Sequence, residues 1–235
     1  AAVGGKNSSL GEMITKLSSK GIPVPEGFAT TAFAFEEFLT ANSLQPQLYG
    51  LMQELDRNTY SNLKELGEKA RKLLLSAELP KNLQLAIIHA YKELCVASYF
   101  EVAVRSSATA EDLPQASFAG QHESYLNIKG EDALLQAIKK CYASLYTDRA
   151  IKYREDNAFA HEKVALSVGV QKMVRSDKAS SGVVFTLEPE SGFRDIIHIS
   201  GVWGLGENIV QGTVTPDEFI VFKPTLLQRK NAIIQ

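Results

Sequence analysis

The order in which periodic patterns occur along the chain most constrains its fold. Apolar residues recur at helical spacing through most of residues 1–160, whereas short runs typical of strands follow Lys163, separated by clusters of Gly, Pro, Asp and Ser. Helices first and strands afterwards favour an α+β fold over an alternating parallel sheet. The segment 157–163 has the weakest pattern. We therefore predict a helix-rich lobe over residues 1–160 and a strand-rich lobe over residues 161–235.

Several helices and strands are specific enough to be given bounds. The first helix ends before Gly21, and Thr30 or Thr31 caps a second helix that carries Phe35 and Phe38 on one side. Further helices are predicted over residues 48–55, 63–75, 80–94, 132–146 and 148–157. Strands are predicted from Val102, and over 124–128, 164–174, 182–186, 196–200 and 219–222. The charges of the last helix, Arg149, Lys152 and Arg154, are interpreted as a solvated face.

The composition excludes several classes of function. The chain has 235 residues, 45% of them apolar, and a formal net charge of -2 with both signs interspersed, which indicates neither a nucleic-acid partner nor a membrane surface. No stretch approaches the roughly 20 apolar residues of a spanning helix. Cys95 and Cys141 lie in helical patterns beside apolar residues and are expected to be buried, reduced thiols, which fits a cytoplasmic protein. The chain starts without Met and ends inside a strand-like run, so we expect a piece of a longer polypeptide.

The segment 102–128 is the first candidate site. An apolar strand start at Val102 runs into Arg105, a series of small hydroxyl residues and Gly120, after which a second strand leaves. A cation followed by hydroxyls and a glycine turn could surround phosphate oxygens. An arginine that caps a neighbouring helix, with Ser and Thr in ordinary turns, explains the residues equally well.

Lys6 is the second candidate. It lies in a glycine loop just before the predicted first helix, where unpaired N–H groups and partial positive charge collect. A cation there is unfavourable for helix stability but suits a bound anion. The alternative is a solvated surface lysine. The glycine-rich loop of the P-loop enzymes does not occur in the chain.

These segments carry a resemblance to a known family. Residues 102–128, Val3-Gly-Gly-Lys-Asn7, Pro216-Asp-Glu-Phe219 and Lys223-Pro-Thr225 resemble the nucleotide-binding domain of phosphoenolpyruvate synthases, with looser similarity to pyruvate phosphate dikinases and rifamycin phosphotransferases. The resemblance implies an ATP-grasp-like fold. It also implies a parent enzyme that is homodimeric at full length and acts in gluconeogenesis. This enzyme uses MgATP to phosphorylate a histidine on another domain of the same chain. It then converts pyruvate to phosphoenolpyruvate and releases AMP and phosphate. The alternatives are the nucleotide domain of a rifamycin phosphotransferase and a non-catalytic nucleotide-binding module.

The resemblance also assigns phosphate contacts. It implies that Lys6 and Arg105 are cationic and catalytic contacts, that the loop around Gly120 offers backbone donors, and that the Ser124 hydroxyl lies close by. ATP and Mg²⁺ are the implied cofactors. The family's acidic magnesium ligands are expected beyond residue 235, so no metal ligand is assigned within this chain. Mg²⁺ binding by Asp217 and Glu218 is disfavoured, and we expect little or no turnover from this piece alone.

Purine contacts are implied for two later segments. The strand pattern of residues 167–174 places Gln171 and Met173 on one side. The resemblance has Gln171 bond the base and Met173 pack near it, whereas the residues alone also fit a mixed strand facing water. In the glycine-rich segment 203–212, Glu207 and Gln211 are candidates for ligand or metal-shell contact. A tight turn between strands explains that segment equally well.

Overall fold

The structure is a computed structural model that describes residues 2–95, 100–108, 112–113, 116–117, 123–228 and 233–234. Gly120, one of the predicted phosphate contacts, lies outside the described residues. The chain divides into two compact units, Ala1–Met173 (unit 1) and Val174–Gln235 (unit 2). Each unit combines helices with an antiparallel sheet, which confirms the α+β prediction.

Unit 1 holds the long helices. They are α1 (Gly4–Leu17), α2 (Ala32–Ala41), α3 (Leu44–Gln53), α4 (Leu63–Ser76), α5 (Lys81–Leu94), α6 (Glu131–Ser144) and α7 (Asp148–Asp156). Thr31 caps α2, because its hydroxyl accepts a hydrogen bond from the Ala34 N–H at 3.3 Å. Phe38 is fully buried and its ring lies 5.3 Å from that of Tyr142 on α6. The aromatic side of α2 is therefore part of the core.

The strands of unit 1 are β1 (Gly27–Ala29), β2 (Val102–Ala108), β3 (Asp112–Leu113), β4 (Ala116–Ser117), β5 (Ser124–Ile128) and β6 (Leu166–Lys172). Four of them form an antiparallel sheet in the order β1-β6-β2-β5, and β3 pairs with β4. The predicted lobe boundary at residue 160 differs from the observed division after Met173. The reason is that β6 pairs along its whole length with β2 and also with β1, so it belongs to the helix-rich unit.

The two faces of this four-stranded sheet differ in composition. One face carries buried apolar residues such as Val102, Val104, Val168 and Val170, which join the helices in a single core. Removing such side chains from water stabilises the fold by roughly 25 cal/mol per Å². The other, which we call the polar face, has small and polar residues. On β2 and β6 these are Ala103, Arg105, Ser107, Ser167, Gly169 and Gln171.

Two local predictions are wrong. Lys6 does not precede the first helix; it is the third residue of α1, because the helix already begins at Gly4. Arg154 does not belong to a solvated face, since only 1% of it is exposed. Helix α7 packs against the rest of unit 1 on the side that carries Ala150, Ile151 and Arg154.

Unit 2 is a second antiparallel sheet with two short helices. Its strands are β7 (Ser180–Phe185), β8 (Ile196–Trp203), β9 (Asp217–Phe222) and β10 (Ile233–Ile234), in the order β10-β9-β8-β7; its helices are α8 (Glu207–Val210) and α9 (Lys223–Leu227). In unit 1, Cys95 and Cys141 are buried free thiols, as predicted. Within the part of the chain that the structure describes, no helix has the length and apolar character needed to cross a membrane.

Candidate functional site

Helix α1 lies on the polar face of the unit 1 sheet, and two glycines allow the close approach. Gly4 has a φ of +68°, and a Cβ at that position would lie 2.4 Å from the Ser107 Oγ. A Cβ on Gly169 of β6 would lie 2.3 Å from the Asn7 Oδ1. Both distances are far below van der Waals contact, so a side chain at either position would push the first turn of α1 away from the sheet.

A cavity of about 620 Å³ lies between α1 and strands β1, β6 and β2. Its apolar lining comes from Leu10, Met13 and Ile14 of α1. Its polar and charged lining includes Lys6, Asn7, Arg105 and Gln171. A mostly apolar hollow of this size with a few converging polar groups is typical of small-molecule sites.

Three predicted site residues from distant parts of the sequence line this cavity. Arg105 pairs with Gly169 across the β2–β6 ladder, and Ala103 pairs with Gln171. Residues opposite each other in an antiparallel pair share a face, so Arg105 and Gln171 lie diagonally on the polar face. Lys6 reaches the same cavity from the first turn of α1. With Asn7, the cavity thus has two cations and two amides, and no acidic side chain among its described lining residues.

Gln171 is held in place by its backbone neighbours. Its Nε2 donates a hydrogen bond to the carbonyl oxygen of Pro25 at 2.9 Å. Pro25 belongs to the segment that leads into β1, two residues before Gly27, which lines the same cavity. This bond fixes the orientation of the side-chain amide and leaves its carbonyl oxygen pointing the other way.

Ser124 and Met173 are not among the residues that line the cavity. Ser124 begins β5, where it pairs with Arg105, and it is exposed. Met173 follows the end of β6, is half-buried, and donates its backbone N–H to the Glu101 carbonyl at 3.1 Å. Both are close in sequence or register to a cavity residue without contributing to its wall.

Glu207 and Gln211 belong to unit 2. Glu207 begins α8 and Gln211 follows its end; both are exposed, and the Gln211 Nε2 donates to the Glu207 Oε1 at 2.9 Å. Asp217 and Glu218 are consecutive residues of β9, so their side chains point to opposite faces of that strand. Among the described residues there is no group of three or more His, Cys, Asp or Glu that could hold a metal ion.

Asn7 is a site residue that the sequence did not suggest. Its Nδ2 donates to the Ser167 Oγ at 2.8 Å, 160 positions away. The only sequence clue is its place directly after Lys6 in the Gly-Gly-Lys-Asn segment. Its partner on β6 cannot be read from spacing.

The comparison with known proteins identifies the family of the chain. Residues 1–234 match the family described as the pyruvate phosphate dikinase AMP/ATP-binding domain. The chain belongs to this family, which confirms the resemblance inferred from the sequence.

Individual relatives are more specific. The chain is 54% identical to a phosphoenolpyruvate synthase of Synechocystis sp. and 51% identical to that of Escherichia coli, in each case over 99% of its length. It is 48% identical, over 95% of its length, to a probable phosphoenolpyruvate synthase of Methanocaldococcus jannaschii. It spans 29%, 30% and 18% of these three relatives, respectively.

Proposed function

We propose that this chain is the ATP-binding part of a phosphoenolpyruvate synthase and that ATP binds in the cavity beneath α1. The observation that carries the proposal is that Lys6, Arg105 and Gln171, from three separate segments, line one cavity. The match to an AMP/ATP-binding family over residues 1–234 and the names of the relatives support it.

In this proposal the two cations contact phosphate oxygens. The Arg105 guanidinium offers a planar donor fork that fits two oxygens at once, whereas the Lys6 ammonium acts as a point charge. Each charge-assisted hydrogen bond contributes about 1.5–3 kcal/mol. Because phosphoryl transfer leaves little covalent chemistry to the protein, the two side chains act by positioning the phosphates and stabilising the charge that develops on them.

The base lies at the apolar end of the cavity in this proposal. Gln171, oriented by its bond to the Pro25 carbonyl, bonds the purine edge, while Met13 and Ile14 supply apolar contact. We propose five further nucleotide contacts, which only the family resemblance supports: Gly120, Ser124, Met173, Glu207 and Gln211.

The wider reaction rests on the relatives. Bound ATP supplies the phosphoryl group. In the full-length protein that group passes to a histidine of another domain and then to pyruvate, and water takes the second phosphoryl group, so that ATP, pyruvate and water give phosphoenolpyruvate, AMP and phosphate. We further propose a cytoplasmic homodimer in which Mg²⁺ accompanies ATP. None of the described residues that line the cavity has a carboxylate for Mg²⁺, so we expect its ligands elsewhere in the full-length protein.

Ligand-dependent stability of the full-length protein tests the proposal. At about 100 times its Kd, MgATP should stabilise the nucleotide-binding part by about 2.7 kcal/mol. Arg105→Ala should remove most of this gain and abolish pyruvate-dependent AMP formation, while Arg149→Ala, an exposed arginine on α7, should change neither. A Tm that does not change when MgATP is added, or full activity of Arg105→Ala, would reject the site. AMP formation that requires rifampicin in place of pyruvate would reject the synthase assignment.

A further inference from the structure

The first turn of α1 has little local stabilisation. Its N-cap residue, Val3, makes no side-chain cap hydrogen bond, and no acidic residue lies in the turn. The turn begins with two glycines, each of which costs about 1 kcal/mol relative to alanine within a helix. Lys6 places a positive charge at the positive end of the helix dipole. A turn of this kind frays unless a tertiary contact holds it.

Asn7 supplies such a contact. Its side-chain nitrogen is hydrogen-bonded to Ser167, and its side-chain oxygen packs against Gly169. Ser167 is fully buried, and its hydroxyl donates to the Thr30 carbonyl at 2.6 Å. The hydroxyl has a single hydrogen, so towards Asn7 it acts as acceptor and receives the Nδ2 at 2.8 Å. The Oδ1 then lies over Gly169, 2.3 Å from where a Cβ would be. The amide therefore fits between a buried hydroxyl and a strand position that has no side chain.

The acceptor side of this contact is itself rigid. Thr30 receives the Val168 N–H on its Oγ1 at 3.0 Å and the Ser167 hydroxyl on its carbonyl oxygen. Ser167 is thus locked to the segment between β1 and α2 as well as to the β2–β6 ladder. Through Asn7, the first turn of α1 is joined to β6, an interior strand of the unit 1 sheet whose first five residues are buried.

We infer that Asn7 is a positioning residue that holds Lys6 in the cavity by anchoring the first turn of α1 to Ser167 and Gly169. The inference rests on the phosphate-binding role proposed for Lys6. Asn7 acts through its neighbour, because the same helical turn carries both side chains. A displacement of about 1 Å in a group that positions a substrate costs on the order of a hundredfold in rate.

The first test is a double-mutant cycle in the full-length protein. Asn7→Ala should lower kcat by about tenfold to a hundredfold with a smaller change in KM, and should cause little further loss in a Lys6→Ala background. Ser167→Ala, which removes the acceptor, should reproduce the Asn7→Ala defect. If the losses of Asn7→Ala and Lys6→Ala multiply, Asn7 does not act through Lys6 and the inference is wrong.

The second test needs no nucleotide. Gly169→Ala places a methyl group against the Asn7 Oδ1 and should lower the Tm of this part of the protein by about 3 °C or more. Adding Asn7→Ala to the same chain removes the clash and should restore at least half of the loss. Gly50→Ala, a helical glycine with no atom within 4 Å of an added Cβ, is the control and should not lower the Tm. Failure of Asn7→Ala to suppress Gly169→Ala would overturn the anchor.

The outcomes separate the inference from the proposed function. If Lys6→Ala keeps full activity, the phosphate role of Lys6 is wrong and the inference falls with it. If Lys6→Ala is impaired but Asn7→Ala is not, the proposed function stands and only the positioning role is wrong. Impairment of both, with no added loss in the double variant and suppression of Gly169→Ala, supports the inference.

Discussion

Unit 1 contains two polar regions in which the charged side chains have different surroundings. Beneath α1, Lys6 and Arg105 line a cavity to which no described acidic side chain contributes. Around α7, by contrast, polar and charged groups are hydrogen-bonded to one another in what we call the Arg154 cluster, made of Arg57, Arg154, Glu155 and His161. Buried groups that bond one another support the fold, whereas cations that line a cavity suit an anionic ligand.

The hydrogen bonds of the Arg154 cluster form a continuous chain. The Arg154 Nε donates to the His161 Nδ1 at 2.7 Å, and the His161 Nε2 bonds the Glu155 Oε1 at 2.7 Å. The Glu155 Oε2 accepts from the Arg57 Nε at 2.9 Å. Because Nδ1 accepts, the His161 ring is neutral with its proton on Nε2.

Burial shapes the ionisation of this cluster. It lowers the pKa of Arg154 to about 10, which leaves the guanidinium charged at neutral pH. Burial, together with the charge of Arg154, lowers the pKa of His161. Burial alone would raise the pKa of Glu155, but hydrogen bonds from His161 and Arg57 outweigh it, and the pKa is lowered. The shifts of His161 and Glu155 favour the ionisation states that their hydrogen bonds require, whereas the shift of Arg154 opposes its charge but is too small to remove it at neutral pH.

The largest predicted effect separates the two regions by stability. Arg154→Ala should reduce the free energy of unfolding by about 3 kcal/mol, because it opens a cavity beside Tyr146 and removes the donor to His161. Arg105→Ala, which removes the one exposed side chain of β2, should change it by about 0.5 kcal/mol or less. Chemical denaturation measures both. Equal losses in the two variants would break the contrast between a structural cluster and a binding cavity.

A matched substitution sharpens the reading of Arg154→Ala. Neither terminal nitrogen of Arg154 has a hydrogen-bond partner among the described residues. Arg154→Met keeps an unbranched chain against Tyr146 and removes those nitrogens, so it should destabilise much less than alanine. A methionine variant as unstable as the alanine variant would mean that the charge itself is required.

The second effect concerns ligand selectivity on the cavity side. Gln171→Leu should reduce the preference for ATP over GTP by about tenfold, as expected for the loss of one hydrogen bond to the base. The matched control is Gln53→Leu, at the exposed end of α3, which should leave the preference unchanged. Competition binding of the two nucleotides to the full-length protein measures it. An unaltered preference in Gln171→Leu would place the base elsewhere.

Local elements could be predicted from the sequence because their patterns are local. The helix predicted over 132–146 is observed at Glu131–Ser144, and β5 occupies its predicted residues 124–128. Arg154 was misplaced because α7 is short and highly polar, and its partner His161 comes from a separate 3₁₀ turn beyond the helix. The division after Met173 could not be predicted from composition, because it depends on strand pairing that joins β6 to β2 across about sixty positions.

The candidate site, too, could be predicted from the sequence only in part. Arg105 and Gln171 were singled out through family resemblance; that they share a face depends on the register Ala103 to Gln171, which no periodicity reveals. Asn7 was missed because its significance lies in Ser167 and in the absence of a side chain at Gly169, both far along the chain. Sequence patterns therefore indicated the residue types that the site needs, and tertiary pairing decided which of them meet.

The smallest predicted effect is a pH dependence confined to the Arg154 cluster. His161 has a lowered pKa in the folded state, so the unfolded chain, with a histidine pKa near its ordinary value of 6.5, takes up a proton first. Stability should be complete above pH 6.5 and should fall as the pH drops through the folded pKa of His161. Protonation also removes the Nδ1 acceptor that Arg154 uses.

Comparison of the Tm at pH 7.5 and pH 5.5 measures this term. The wild-type protein should lose more stability over that interval than His161→Gln, which has no titrating ring, and the difference between the two curves isolates His161 from the other histidines. Glu155 does not contribute there: its pKa is lowered below 4.5, so the stability that it adds is lost only at more acid pH. Identical pH profiles for the two proteins would show that the cluster tolerates a charged His161. The contrast with the cavity beneath α1 would then rest on geometry alone.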